Sequence, residues 1–262
     1  MQSWSDISAL LKENPGFNVN WASLGHWTAL HMASCYDQIE VVKLLLAHPA
    51  IDVNVKNRGG CTPFYYACAG GHLSVIELLL KDPRVDVTLD DNDGCTPLWY
   101  ASFRGKLEVI EWLIASGRDL GDIKNKKGNW QDEEYSALEI AREFNNTEVV
   151  PELERFVANP AHTRHKVRVK LGVLDELAAE IFALTVFLCD DLLQLNPAAL
   201  APTTTTATRF FAISSKLPLE LQMMLCHRAV GSMRQNILLK DSESAFKSLA
   251  MILLLPSQSE AN

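Results

Sequence analysis

The sequence predicts an all-α protein built around a stack of near-identical helix pairs. Three observations predict it. A period of 34 residues runs through Thr28, Thr62 and Thr96, and again through Ala33, Ala67 and Ala101. Each of those segments is followed by a second apolar stretch: "IEVVKLLL" (39–46), "LSVIELLL" (73–80) or "LEVIEWLI" (107–114). Apolar residues recur there at i, i+3 and i+4, the mark of an amphipathic helix rather than a strand. Between the copies stand the turn formers "NRGG" (57–60) and "DNDG" (91–94), where glycine permits positive φ in a tight turn.

Each unit therefore reads as a turn, a short helix and a second helix. Pro63 and Pro97 follow the turns, at the first helical position, where a missing N–H costs little. One such unit cannot bury its apolar face alone, so the copies must lie against one another.

Composition narrows the function. The 262 residues are 48% hydrophobic and 21% charged, as expected of a chain with a buried core. A formal net charge of −8 argues against nucleic acid, since phosphate binding needs a basic face. The most apolar stretch, 177–195, carries Glu180, Asp190 and Asp191, so a buried helix is expected and no membrane span. The N-terminus shows neither a basic nor an apolar leader region. The six cysteines include Cys61 and Cys95 at one position of successive copies, about 8–10 Å apart and beyond disulfide reach. Reduced thiols and a cytoplasmic location, extending to the nucleus, are the expectation.

The segments "TALHMA" (28–33), "TPFYYA" (62–67) and "TPLWYA" (96–101) resemble the T-P-L-H-x-A signature of ankyrin repeats, and "GGHLSVIELLL" (70–80) resembles the second helix of that family. The family period is about 33; the extra residue here falls in "HPAIDV" (48–53) and "DPRVDV" (82–87). The resemblance implies an ankyrin-repeat domain over 1–158. Within it lie an N-terminal cap at 4–20, full repeats at 24–57, 58–91 and 92–125, and a degenerate repeat at 126–158. Ser136 stands 40 residues after Thr96, and the six additional residues are placed in an elongated turn.

In that family the first helices and the turn tips form a concave face that holds another protein. Carried onto this sequence, the partner-binding positions are Trp27, Tyr36, Arg58, Asn92, Asp93, Phe103 and Arg104, with Trp130 of the long turn added on its own account. Aromatic residues and arginine dominate interface energetics, which favours Trp27, Tyr36, Phe103, Arg104 and Trp130. Tyr65, Tyr66, Trp99 and Tyr100 occupy helix positions of the signature and are expected to be structural, as are His31 and His72. Charge at the tips alternates from Lys56 and Arg58 to Asp90, Asp91 and Asp93, then to Lys124, Lys126 and Lys127. That pattern is expected to select a complementary partner through encounter rate and register.

Residues 159–262 are expected to form a helical domain with a flexible Thr/Pro loop at 196–209. "LPLELQMMLC" (217–226) resembles the opening of an F-box, and the segment's length and place resemble the F-box-like PRANC domain. That resemblance implies docking to a ubiquitin-ligase adaptor through Leu217, Pro218, Glu220, Leu221 and Leu225. No phosphate-binding glycine loop, G-x-S-x-G or H-E-x-x-H occurs. Neighbouring Cys226 and His227 point about 100° apart on a helix. The sequence thus predicts a non-enzymatic interaction module without metal or cofactor. A ligase-adaptor role and a catalytic C-terminal domain stand as the alternatives.

Overall fold

Hydroxyl side chains decide where the first helix of each unit begins. Thr28, Thr62, Thr96 and Ser136 have extended backbones, and each side-chain oxygen accepts the N–H three residues on, which satisfies one orphan donor of the first turn. The helices that follow are α1 (Ala29–Cys35), α3 (Pro63–Gly70), α5 (Pro97–Phe103) and α7 (Ala137–Glu143). Each ends at a left-handed residue: Asp37, Gly71, Gly105 or Asn145, with φ between 53° and 75°. That reversal launches the second helices α2 (Ile39–Leu46), α4 (Leu73–Lys81), α6 (Leu107–Ser116) and α8 (Val149–Ala158).

The computed structural model describes residues 18–189, 219–230 and 245. The chain divides into two compact units, Met1–Val167 and Arg168–Asn262. Most of the expected N-terminal cap and the whole Thr/Pro loop at 196–209 lie outside the described residues.

In the first unit α1, α3, α5 and α7 pack in succession, and α2, α4, α6 and α8 pack as a second row. The core between the rows is apolar: Leu30, Val42, Phe64, Ile76, Leu79, Ile110, Leu113, Ile140 and Leu153 are buried. Burying such side chains contributes about 1.5–3 kcal/mol each relative to exposure.

Polar ties fix the spacing of the units. Asn20 donates to the Ala50 carbonyl and accepts from Asp52 N–H, at 2.7 and 2.8 Å; Asn54 repeats both bonds at the same lengths with Arg84 O and Asp86 N. At the third position stands Thr88, whose hydroxyl turns back to Asp86 in its own loop. Guanidinium groups form a second series. Arg84 donates to Leu46 O, Arg118 to Asp82 O and Val85 O, and Arg164 to Ile114 O. The last belongs to α9 (Pro160–Leu171), which buries Thr163 and Val167, so packing carries the first unit past Phe156.

The elongated turn is instead a hairpin. Strands β1 (Lys127–Trp130) and β2 (Glu133–Ser136) pair antiparallel from Lys127↔Ser136 to Trp130↔Glu133. The all-helical expectation therefore needs this small sheet added. Its reversal is made by Gln131 and Asp132, both at positive φ.

In the second unit α10 (Leu174–Cys189) packs against α11 (Leu219–Ala229). Buried Ala179 and Ala183 form a small cluster with Ala245.

Candidate functional site

The turn tips are locked into a row by their own backbones. Arg58 N–H donates to Gly25 O, Asn92 N–H to Gly59 O and Asn129 N–H to Asp93 O, at 2.8–3.0 Å. Inside each tip a carboxamide or carboxylate holds the loop: Asn57 accepts from Gly59 and Cys61 N–H, and Asp91 from Asp93 and Cys95 N–H. A Cβ on Gly60 would meet Asn92 Oδ1 at 2.5 Å, so the close approach of neighbouring tips requires glycine there. His26 fills the matching place in the first unit, also at positive φ.

The third helical residue of α1, α3 and α5 reaches forward to the next unit, although its chemistry changes each time. His31 Nε2 donates to Cys61 O at 3.0 Å, the Tyr65 hydroxyl to Asp91 Oδ2 at 3.1 Å, and Trp99 Nε1 to Tyr135 O at 2.7 Å. Because a carbonyl can only accept, His31 carries its proton on Nε2, leaving Nδ1 to accept from Thr28 N–H. Burial lowers the His31 pKa below its ordinary value and raises that of Tyr65. These three side chains are buried ties.

An aromatic row runs beside these ties and passes through Tyr65 itself. Trp27 lies 4.5 Å from Tyr66, Tyr66 5.8 Å from Tyr65, Tyr65 5.1 Å from Tyr100 and Tyr100 5.7 Å from Phe103. Phe103 then meets Trp130 at 4.7 Å and Phe144 at 4.6 Å. Ring contacts thus run unbroken from the first unit to the fourth. Tyr66, Tyr100, Phe103 and Trp130 keep part of their surface exposed, and Phe144 is 42% exposed. Arg104 lies over Tyr100 and Phe103, its guanidinium carbon 5.3 and 5.5 Å from the ring centres.

Several expected contact residues fall on or beside this row. Trp27, Phe103, Arg104 and Trp130 belong to it. Tyr36 is 62% exposed and occupies the position that Gly70, Arg104 and Phe144 hold in later units. Gly70 itself answers to packing: a Cβ would collide with the His72 ring, which reaches back to Cys35 O. Arg58 and Asp93 are exposed at the tips, while Asn92 commits its amide to Arg58 O. Tyr66, Tyr100 and Phe144 were not among the expected contacts. For Phe144 the usable signal was its place three residues after Ala141, matching Arg104 after Ala101.

The alternating charges have a use closer to hand than partner selection. Asp90 takes Lys56 on one side and Lys126 on the other, so opposite signs tie three consecutive tips together. These lysines hold the Asp90 carboxyl below its ordinary range, Lys126 most of all. Cys35, Cys61, Cys68, Cys95 and Cys226 are free thiols. Burial pushes Cys61 and Cys68 up and Cys95 to about 12, so none of these three is poised as a thiolate nucleophile near neutral pH. No group of residues able to hold a metal ion occurs among the described residues.

The repeat geometry agrees with family comparison. The model of the ankyrin repeat matches residues 25–58, and that of ankyrin repeats in three copies matches 51–124. Residues 25–124 are ankyrin repeats. No curated protein matches the chain. The ankyrin repeats make this part of the chain a protein–protein interaction module.

Beyond the repeats, Leu217 and Pro218 lie outside the described residues, and Glu220 falls in the first turn of α11. Leu221 is 42% exposed and Leu225 half-buried, whereas Gln222, Cys226 and His227 are buried. Cys226 Sγ lies 4.0 Å from the Thr185 hydroxyl, and His227 Nδ1 lies 4.0 Å from Asp175. Cys and His thus turn toward different neighbours, and burial pushes the Cys226 thiol up to about 11. No helix among the described residues is long and apolar enough to cross a membrane.

Proposed function

We propose that the ankyrin stack works as a non-enzymatic scaffold that grips another protein along the row from Trp27 to Phe144. The observation that carries this reading is the unbroken line of ring contacts with exposed edges. Packed rings are large, apolar and already fixed in place, so little side-chain entropy is lost when a partner covers them. Affinity purification of the full chain, with quantitative mass spectrometry, tests it. Replacing Tyr100 and Phe103 together with alanine should remove specific partners, with circular dichroism verifying that the helices persist. An unchanged partner profile overturns the reading.

A second reading rests on α11. Leu221 and Leu225 stand one turn apart on its less buried side, a small apolar surface of the kind that seats an adaptor. If this helix recruits a ubiquitin-ligase adaptor, cullin–RING subunits co-purify with the full chain and disappear with Leu221→Asp. Their absence from the wild-type preparation ends that reading.

A further inference from the structure

We infer that the aromatic row selects a polypeptide segment carrying one carboxylate among apolar side chains, and that Arg104 reads that carboxylate. This rests on the proposed use of the row for binding. Arg104 Nε and Nη2 both donate to the Tyr100 hydroxyl, at 3.3 and 2.9 Å. The Arg104 side chain is exposed, its guanidinium carbon lies over the Tyr100 and Phe103 rings, and it forms no ion pair among the described residues. Its Nη1 donors have no protein acceptor there. Because the Tyr100 oxygen accepts from the arginine, its own proton is left to donate outward. Two kinds of donor, N–H and O–H, therefore converge where no acid of this chain is bound.

The ligand chemistry follows from that arrangement. A planar, pre-oriented guanidinium fits a carboxylate with two parallel hydrogen bonds, and the rings beneath it stabilise the cation without neutralising it. The flanking surface is apolar: Tyr36 and Phe144 hold the Arg104 position in the first and last units. Gly70 presents no side chain at the same place in the second unit, where the His72 ring packs. Additional acids would be penalised by Asp93, which is exposed at the tip, whereas Asp90 is already paired with Lys56 and Lys126. The preferred segment is apolar on both sides of a single Asp or Glu.

Selection of a random peptide library displayed on phage, with the full chain immobilised, tests this. Enriched peptides should carry one acid flanked by apolar residues. Arg104→Glu should shift the enrichment to peptides bearing Lys or Arg. For a synthetic copy of the best wild-type peptide, Arg104→Ala should weaken binding about tenfold, and Arg104→Lys should recover only part of it, because the fork geometry is lost. Peptides that depend on Phe103 and Phe144 but show no acid preference, or none that Arg104→Glu changes, overturn the role of Arg104 and leave the row standing. Enrichment indifferent to Phe103 and Phe144 overturns both.

Discussion

The junction between the first two repeats and the junction between the third repeat and the hairpin receive the same ties from different side chains. His31 reaches Cys61 O at the first, and Trp99 reaches Tyr135 O at the second. Looking backward, His72 ties Cys35 O, while Asn146 ties Ser102 O and Phe103 O. What is preserved is which backbone carbonyls receive a donor. Unsatisfied carbonyls at buried junctions are costly, whereas the identity of the donor is free to vary. The fourth unit can therefore diverge in sequence and still continue the stack.

The largest test of that equivalence is Trp99→Ala. It removes both the tie and a fully buried ring, so it should cost about 3–5 kcal/mol in chemical denaturation. Tyr65→Phe, which removes only a hydroxyl tie and leaves Asp91 its backbone partners, should cost about 1 kcal/mol. Equal losses would mean that the hydrogen bond, and not the packing, sets the strength of the ties made by Tyr65 and Trp99.

The tips give the next contrast. Gly60→Ala should cost roughly 2 kcal/mol, because the new methyl runs into Asn92 and φ is left-handed. Gly94→Ala, whose nearest obstacle is Lys127 O at 3.1 Å, should cost less. The reverse order would mean that the contact with Asn92 does not set the cost at Gly60.

Acidity separates the two junctions again. Burial holds His31 below its ordinary 6.5, so between the folded and unfolded values the unfolded chain binds more protons. The contribution of neutral His31 is fully present above about pH 6.5 and declines as pH falls toward the folded value. His31→Gln should flatten that part of the stability profile, whereas Trp99→Phe should leave its slope unchanged. The smallest effect is expected of Asp90→Asn. Its two lysine partners are substantially exposed, so the loss should be under about 1 kcal/mol and should shrink further in high salt. A loss that salt does not reduce would assign Asp90 a role other than electrostatic.

Where each copy repeats the last, the fold was legible: Thr28, Thr62 and Thr96 announce their helices because capping is a local interaction. The hairpin was not, for two physical reasons. A two-residue reversal with both central residues at positive φ usually carries Asn-Gly or a relative, and here it carries Gln131 and Asp132. Its strands are also held from outside, by Asn129 N–H on Asp93 O and by Trp99 on Tyr135 O, contacts that no local pattern encodes. The candidate face was half legible. Register pointed to Arg104 and Phe103, but Tyr66 and Tyr100 looked structural because the signature places them in a helix. Their partial exposure depends on how far each helix turns its side toward solvent, which packing decides.

The lapse of the asparagine series at Thr88 has a mechanical consequence. Asn20 and Asn54 rivet one outer loop to the next, and the loop that follows Thr88 lacks that rivet. A cleft lined by Thr88, Leu98, Leu120 and Ile123 lies at that place. Arg118 still spans these two loops through Asp82 O and Val85 O, but the preceding junction has both Asn54 and Arg84. A stack stretched from its two ends is therefore expected to part first along this seam, releasing α5, α6, the hairpin and α7 before the earlier repeats yield. Force spectroscopy on the full chain would register the seam as a separate early step, and Thr88→Asn should merge that step with the rest.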